Sequence, residues 1–580
     1  MTTLDLQQQA AVRTDSCRAL VLAGAGSGKT RVLTERIAYL VEECKVSPFE
    51  VLSFTFTRKA ATEMKTRLVN RIGSQAYNVN MGTMHALALS MINRFGEIIG
   101  LKSKAVTVYS QWEEDFLLKD VAQEMGLHNG KAWKIPKRDI DYVFDAYYQR
   151  GIEPEVNSPV KDLFNAFIQR CRENNSLTYG GLLIGLRLLI QTMAKYLHVR
   201  HILVDEIQDI DYLQWGIILE MEKAFGATLF CVGDIDQSIY EFRGAAPGYL
   251  VDHQFEFDIH RLESNYRSMP EIVTAANRLI AHNQDRITKS MVATRTPPEL
   301  APDEIWIDKD ADSSRVVELA KAWGEGTAVL ARTHSLLQKI DRLMEEAKLQ
   351  HQYIGRNSAL TNSEPFRRFH AFLKLCINPF DNFSFLLIKD IIGISREDYG
   401  QIRVKAAEDG KSHFQVWFGL SRWDGDKHRL FFASDRSAGP VYQTELLNNL
   451  FPDLSPEVAA FIFQWSHDHS GGIESYLAWL ATYEIQDEIK SETKGITLMT
   501  IHAAKGLEWP VVIVAGCNEG IIPSKQAISA DDIEAERRLM YVAMTRAQDQ
   551  LVLTVRAERE DKGKYIQENP ISRFIGEVGL

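Results

Sequence analysis

No apolar run in this sequence approaches the roughly 20 residues needed to cross a bilayer. Val511–Ala515 is short, and Leu182–Ile190 is broken by Arg187. Met1–Gln9 is polar and lacks the basic-then-apolar profile of a signal peptide, so a cytoplasmic protein with no membrane partner is expected. Cysteine is sparse. Cys17, Cys44, Cys171, Cys231, Cys376 and Cys517 form no CxxC pair, which argues against zinc, an iron–sulfur cluster and a disulfide framework. Basic charge is in deficit: 66 Lys and Arg against 77 Asp and Glu give a net charge of −11. That disfavours a protein that coats polyanions over its whole surface, but it does not exclude a locally basic channel inside an acidic shell, because net charge does not say where the charges sit. Short-period repeats and low-complexity tracts are missing too. What remains is a chain of 580 residues, 45% hydrophobic and 25% charged, with room for about three to five folding units.

The hydrophobic pattern alternates between two textures. Ala19–Leu22 and Val51–Phe56 read as strands, and Leu33, Ile37, Leu40 and Val41 recur at helical spacing, as does Lys59–Val69. From about 95 to 198 helical patterns dominate, before strands return at Ile202–Val204 and Leu229–Val232. After a proline-bearing stretch (Pro297, Pro298, Pro302) the design repeats. A strand at Ala328–Ala331 and a helix at Phe366–Cys376 precede a second helix-rich stretch carrying Trp417, Trp423, Trp465 and Trp479. Strands at Ile496–Thr500 and Val511–Ala515, a helix at Ile533–Ala547 and a strand at Leu551–Val555 follow. The simplest parse is α/β, with two lobes each interrupted by a mainly helical insertion. The expected boundaries are 1–94 with 199–260 for the first lobe, and 95–198 for its insertion. The second lobe takes 261–379 with 490–580, and its insertion 380–489.

Between the first strand and the first helix lies AGAGSGKT, Ala23, Gly24, Ala25, Gly26, Ser27, Gly28, Lys29 and Thr30. Glycines there let backbone N–H groups approach phosphate oxygens at a helix N-terminus. Lys29 would reach the β and γ phosphates of ATP, and Thr30 would hold Mg²⁺. Ala23 stands where the strict pattern has glycine. Val204-Asp205-Glu206 ends an apolar run in two carboxylates. Alone it would be an ordinary acidic turn. Beside a phosphate loop, Asp205 should hold Mg²⁺ through water and Glu206 should orient and deprotonate the attacking water. Cleavage also needs a cation on the transferred phosphoryl group; an isolated arginine is usually a solvated surface group, and Arg267 and Arg546 become candidates only through the family resemblance of the motifs around them.

An ordered series of motifs resembles the superfamily 1 DNA helicases of the UvrD/Rep/PcrA type. LDLQQQAAV at Leu4–Val12 resembles the adenine-reading glutamine motif, with Gln8 in the glutamine position, and Arg31 matches the adenine-side arginine. FTRKAATEM (Phe56–Met64), GTMHA (Gly82–Ala86), VDEIQD (Val204–Asp209), VGDIDQSIYEFRGA (Val232–Ala245) and LESNYRS (Leu262–Ser268) follow in order. ARTHS (Ala331–Ser335), LMTIHAAKGLEWPVVIV (Leu498–Val514) and ERRLMYVAMTRA (Glu536–Ala547) complete the set.

The resemblance implies two RecA-like P-loop lobes with ATP between them, acting in the cytoplasm of a bacterium or phage-infected cell. It implies that Gln237 senses the γ-phosphate, Tyr266 stacks on adenine, Glu508 contacts ribose, and Arg267 and Arg546 are arginine fingers. It implies a DNA track of Phe56, Thr83, His85, Tyr240, Phe242, Arg243, Thr500 and His502. Each aromatic could instead be core, and both histidines could be satisfied by backbone. The activity implied is ATP-dependent 3′→5′ translocation on single-stranded DNA with unwinding at single-strand/duplex junctions. The alternative is a translocase that unwinds only with repair, recombination, phage or defence partners.

Several positions depart from the family. Phe242 replaces the usual Trp, Arg58 replaces Asn, and Ala331 replaces Tyr. LTYGGLL at Leu177–Leu183 lacks the usual carboxylates, and the second insertion is short. Few residues follow Arg546, so no nuclease domain is expected. KAWKIPKR at Lys131–Arg138 is either a nucleic-acid contact or a solvated charged loop.

Overall fold

The computed structural model describes residues 4–102, 106–154, 158–297, 304–355, 358–361, 363–419, 456–483, 495–556, 560–561, 566–567 and 570–579. Pro298, Pro302, Trp423 and the stretches 420–455 and 484–494 of the second insertion lie outside them.

Short apolar segments build two six-stranded sheets. The first holds β1 (Arg18–Ala23), β2 (Val51–Phe54), β3 (Asn80–Gly82), β4 (His201–Val204), β5 (Thr228–Gly233) and β6 (Asp258–Leu262). Their order is β3-β2-β4-β5-β1-β6, every pair parallel. The second holds β7 (Ile305–Asp308), β8 (Thr327–Ala331), β9 (His351–Tyr353), β10 (Ile496–Thr500), β11 (Trp509–Ala515) and β12 (Ala547–Thr554). It runs β7-β12-β11-β8-β10-β9, again all parallel. Central strands such as β8 and β10 are buried along their whole length, as parallel strands covered on both faces must be. These are the two RecA-like lobes.

Two strand and helix ends differ from the sequence expectation. β2 stops at Phe54, because Thr57 turns the chain and caps the next helix through Ala60 N–H (3.2 Å), which frees Phe56 from the sheet. The helix expected to reach Ala547 ends at Met544, because Ala547 pairs with Trp509 across β12 and β11. The register shifts between Trp509 and Val511, where Pro510 has no N–H to give the ladder.

The chain forms two compact units: 1–83 with 195–355 and 484–580, and 84–194 with 356–483. The first contains both sheets. The second is mainly helical and joins the two insertions. Its division falls at 83/84, so the helix Met84–Phe95 goes with the insertion. The reason is close packing: a Cβ on Gly185 would lie 2.9 Å from Ile92 Cδ1. Another division falls at 355/356, so the helix Glu364–Ile377, expected in the second lobe, goes with the second insertion, and a buried polar network ties the two segments of this unit together. Lys374 Nζ donates to both Glu113 oxygens (2.5 and 2.7 Å), Tyr109 OH to Asp381 (2.8 Å) and Asn378 Nδ2 to Thr107 Oγ1 (2.8 Å). Among the described residues no helix is long and apolar enough to cross a membrane.

Candidate active site

The carboxyl ends of β1, β4 and β5 carry the first lobe's candidate residues, where open α/β sheets gather their ligands. The second lobe contributes from the opposite direction. Glu508 immediately precedes β11 and Arg546 immediately precedes β12, so the amino-terminal edge of one sheet faces the carboxyl edge of the other.

β1 runs into the glycine loop and then the helix Lys29–Glu42. Gly26 (φ 70°) and Gly28 (φ 86°) are left-handed. Close approach adds to that demand: a Cβ on Gly26 would sit 2.6 Å from Arg267 Cβ. Asn265 Nδ2 donates to Ala25 O (2.7 Å) and Tyr266 N–H to Gly26 O (2.9 Å). The LESNYRS segment is thus laced to the phosphate loop. Ala23 is fully buried in the first lobe's core, which is what its methyl does in place of glycine. Gln8 is 1% exposed, and both ends of its amide are engaged. Its Oε1 accepts Asp5 N–H (3.2 Å) and its Nε2 donates to Ser27 O (3.0 Å). As built, Gln8 braces the loop.

A cleft of about 680 Å³ gathers Gly24 to Arg31 with Glu206, Gln237, Tyr266, Arg267, Glu508 and Arg546. Neither Gln8 nor Ala23 lines it. Lys29 Nζ lies 3.0 Å from Glu206 Oε2. Glu206 occupies a left-handed conformation (φ 49°, ψ 47°), rare for a residue with a side chain. Burial alone would raise its carboxyl, but Lys29, Lys505 and a bond from Gln208 Nε2 (2.6 Å) outweigh that and hold it ionised. Asp205 goes the other way: burial and then the neighbouring Glu206 charge push its carboxyl up. A cation is what this carboxylate is short of. Asp205, Thr30 and Glu206 all line a second cavity of about 90 Å³, and the oxygens of Asp205 and Thr30 are the donor type that fits Mg²⁺ completed by phosphate and water.

From the second lobe, Arg267 Nε reaches Glu508 Oε2 (2.5 Å) and its Nη1 donates to Thr545 O (3.1 Å). Arg546 is 1% exposed. It donates to Val542 O (3.0 Å), Leu507 O (3.2 Å) and Gln237 Oε1 (3.3 Å), and burial followed by Arg267 lowers its pKa to about 9. Tyr266 is 45% exposed, with its hydroxyl on Asp5 Oδ2 (2.5 Å). One residue inside a quoted motif was not singled out by the sequence. Lys505, the lone charge in buried TIHAAKGL, donates to Asp209 Oδ2 (2.5 Å) and to Gln237 O (2.6 Å). A lysine inside an apolar run was the available signal.

The candidate DNA residues of this unit form an aromatic group. Phe56 stacks on Tyr240 (4.9 Å, 24°), Phe242 meets His502 edge-on (5.4 Å), and the Arg243 guanidinium lies 5.5 Å from the Tyr240 ring. Tyr240 is only 7% exposed and donates its hydroxyl to His502 O (3.2 Å), so it is the support beneath Phe56. Phe242 is 69% exposed. Thr83 and Thr500 are buried, and the Thr500 hydroxyl accepts Ala503 N–H (3.3 Å). Burial, then Arg332, Arg243 and Lys505, lower His502 to about 3, so it is neutral at physiological pH.

His85 belongs to the helical unit. It stacks on half-exposed Tyr179 (3.9 Å, 11°), and burial lowers it to about 3. Tyr179 is a further aromatic that the sequence did not single out, in the segment that lost its carboxylates. A Cβ on Gly180 would lie 2.7 Å from the Tyr148 ring, which explains one of those losses. In the KAWKIPKR stretch Trp133 packs edge-on against His128 (5.0 Å), while Lys131, Lys134, Lys137 and Arg138 are exposed, the last two in surface ion pairs with Asp141 and Asp139.

Residues 4–258 match the family model of the UvrD/REP helicase N-terminal domain, and 260–409 with 474–558 match the UvrD-like helicase C-terminal domain. Similar curated proteins include the ATP-dependent DNA helicase PcrA of Bacillus subtilis, 29% identical over 647 aligned residues, covering 100% of this chain and 86% of that protein. The PcrA proteins of Staphylococcus epidermidis (28%) and Staphylococcus aureus (27%) are similar over 99% of this chain and 86% of theirs.

Proposed function

The chain belongs to the UvrD/Rep family of ATP-dependent DNA helicases, and from that premise we propose that it is a 3′→5′ translocase on single-stranded DNA whose ATP cycle separates duplex at a junction. The observation that carries this reading is the cleft in which Lys29, Glu206, Gln237, Arg267 and Arg546 converge from two lobes.

The Lys29 amine, held by Glu206 at 3.0 Å, would pass to the β and γ phosphates when ATP enters. Glu206 is then free to orient water and take its proton. Thr30 and Asp205 would hold Mg²⁺, which neutralises phosphate charge when bound. Arg267 would exchange Glu508 for the transferred phosphoryl group and Arg546 would share that charge. Tyr266, 45% exposed, would stack on adenine with Arg31 on the cleft wall, and Gln8 would act there through the loop carbonyl of Ser27 that it holds.

Coupling to DNA follows from sequence proximity. Gln237 lines the cleft, and Tyr240, three residues on, supports Phe56 beside exposed Phe242. A shift of this short turn with the γ-phosphate would move the bases stacked above it. Stacking is worth about 1–3 kcal/mol per base, against about 1.4 kcal/mol per base-pair step to be opened. Thr83, Arg243, Thr500 and His502 would line the strand on the α/β unit, and His85 is a separate proposed DNA contact of the helical unit. Neutral His85 and His502 can stack and hydrogen-bond but add no charge. The site of action is the cytoplasm.

A second reading, a translocase that needs a repair, recombination, phage or defence partner to unwind, is favoured by one observation. Residues 410–473, within the second insertion, match no part of the family model. Forked substrates with 3′ or 5′ tails test both. Unwinding of the 3′-tailed fork by the purified chain supports the first reading. DNA-stimulated ATPase without unwinding supports the second. ATPase indifferent to DNA contradicts both.

A further inference from the structure

The coupling turn is held by a charge cluster that no catalytic step uses. Ile235–Gln237 is a single 3₁₀ turn capped by Asp234, whose Oδ1 accepts Asp236 N–H (3.0 Å). Asp234 Oδ2 accepts from Gln237 Nε2 at 2.6 Å. An ionised carboxylate can only accept, so this bond decides which way round the Gln237 amide sits. The NH₂ faces Asp234, and the oxygen is left to receive Arg546 Nη2 at 3.3 Å. The guanidinium can only donate, so both neighbours of the amide require this one orientation.

Asp234 is 0% and Asp236 2% exposed. Two carboxylates buried side by side would repel each other and loosen the turn if no cation stood against them. Lys289 and Arg286, from the segment between the helix Pro270–Ile280 and the short strand Val292–Ala293, prevent that. Lys289 Nζ bonds Asp234 and, at 2.5 Å, Asp236, while Arg286 Nη2 bonds Asp236 at 2.8 Å. Met291, two residues after Lys289, presses on the phosphate loop, where a Cβ on Gly24 would lie 2.5 Å from its sulfur.

We propose that Lys289 is a positioning residue for ATP cleavage: its ammonium, bonded to both Asp234 and Asp236, fixes the Asp234 carboxylate where it accepts the Gln237 NH₂, and so holds the Gln237 amide with its oxygen on Arg546. This rests on the reading of Gln237 as part of the ATP machinery.

The test uses the full chain and DNA-stimulated ATPase. Lys289→Met should lower kcat about 10- to 100-fold, with KM for ATP and the Kd of a non-hydrolysable ATP analogue little changed. Lys289→Arg should recover most of kcat. In a Gln237→Ala background, Lys289→Met should cost nothing further, because both act through one amide. Lys289→Met leaves a buried carboxylate uncompensated and can fail to fold. The double variant Lys289→Met/Asp234→Asn removes one charge of each sign and leaves Asp236 on Arg286. It should melt like the parent yet keep the kcat loss, since the turn has lost both the ammonium that fixes position 234 and the carboxylate that accepts the Gln237 NH₂. Normal kcat in that double variant overturns the proposal. So does an unchanged Lys289→Met penalty in an impaired Gln237→Ala background, which leaves the Gln237 reading standing. Normal kcat in Gln237→Ala alone overturns both.

Discussion

Phe242 and Tyr240 lie two residues apart, and their surroundings give them opposite work. Phe242 is 69% exposed and can offer a ring face to a base, whereas Tyr240 is buried under Phe56 with its hydroxyl on His502 O. Phe242→Ala should therefore weaken single-stranded DNA binding by about 1–3 kcal/mol and leave the melting temperature unchanged. Tyr240→Ala should lower the melting temperature as well. Equal losses of stability for both, measured by thermal melts beside fluorescence anisotropy, would make Phe242 a core residue. The two aromatics look alike in a sequence, because exposure depends on what folds over each ring. Lys29, Asp205 and Glu206 were legible because each motif abuts an apolar strand. Lys505, Lys289 and Arg286 were not, because their partners lie from 50 to 296 residues away.

At the scale of elements, most strands were visible as short apolar runs, and the errors fell where a polar side chain or a proline sets the boundary. Thr57 ended β2 early, and pairing of Ala547 with Trp509 ended the helix before it. Helix contacts set the pH response. His370, on the helix Glu364–Ile377, bonds Phe366 O (2.6 Å) and, across to the helix Ile473–Ala481, Tyr476 OH (2.6 Å). Burial lowers its pKa from 6.5 to about 3. The folded state thus binds fewer protons than the unfolded state between those values. Its contribution to stability is full above pH 6.5 and is lost as pH falls toward 3. Thermal melts at pH 7.5 and 5.5 should show the parent losing more stability than His370→Gln. Parallel losses would mean that His370 is already protonated in the fold.

For the whole molecule, the two sheets meet with opposite edges: carboxyl ends of β1, β4 and β5 against the residues just before β11 and β12. Parallel topology makes this possible, since every strand of a sheet offers the same end to the cleft. The chain's two α/β textures were readable from the sequence, but the assembly of both helical insertions into one compact unit was not. That unit depends on pairs such as Lys374 with Glu113, 261 residues apart, which no local pattern marks. The whole chain's net charge of −11 also gives no hint that Lys29, Arg31, Arg267 and Arg546 line one cleft.

Arg267 is the residue on which the two-lobed cleft depends most visibly, since it reaches the phosphate loop from the second lobe's side while bound to Glu508 and Thr545. The decisive measurement is the DNA-stimulated ATP turnover of Arg267→Ala, with nucleotide binding followed in parallel. A fall in kcat of about 10³-fold or more with ATP-analogue affinity nearly unchanged is the predicted result. Turnover at the parental rate would contradict cleavage in a cleft shared by two lobes.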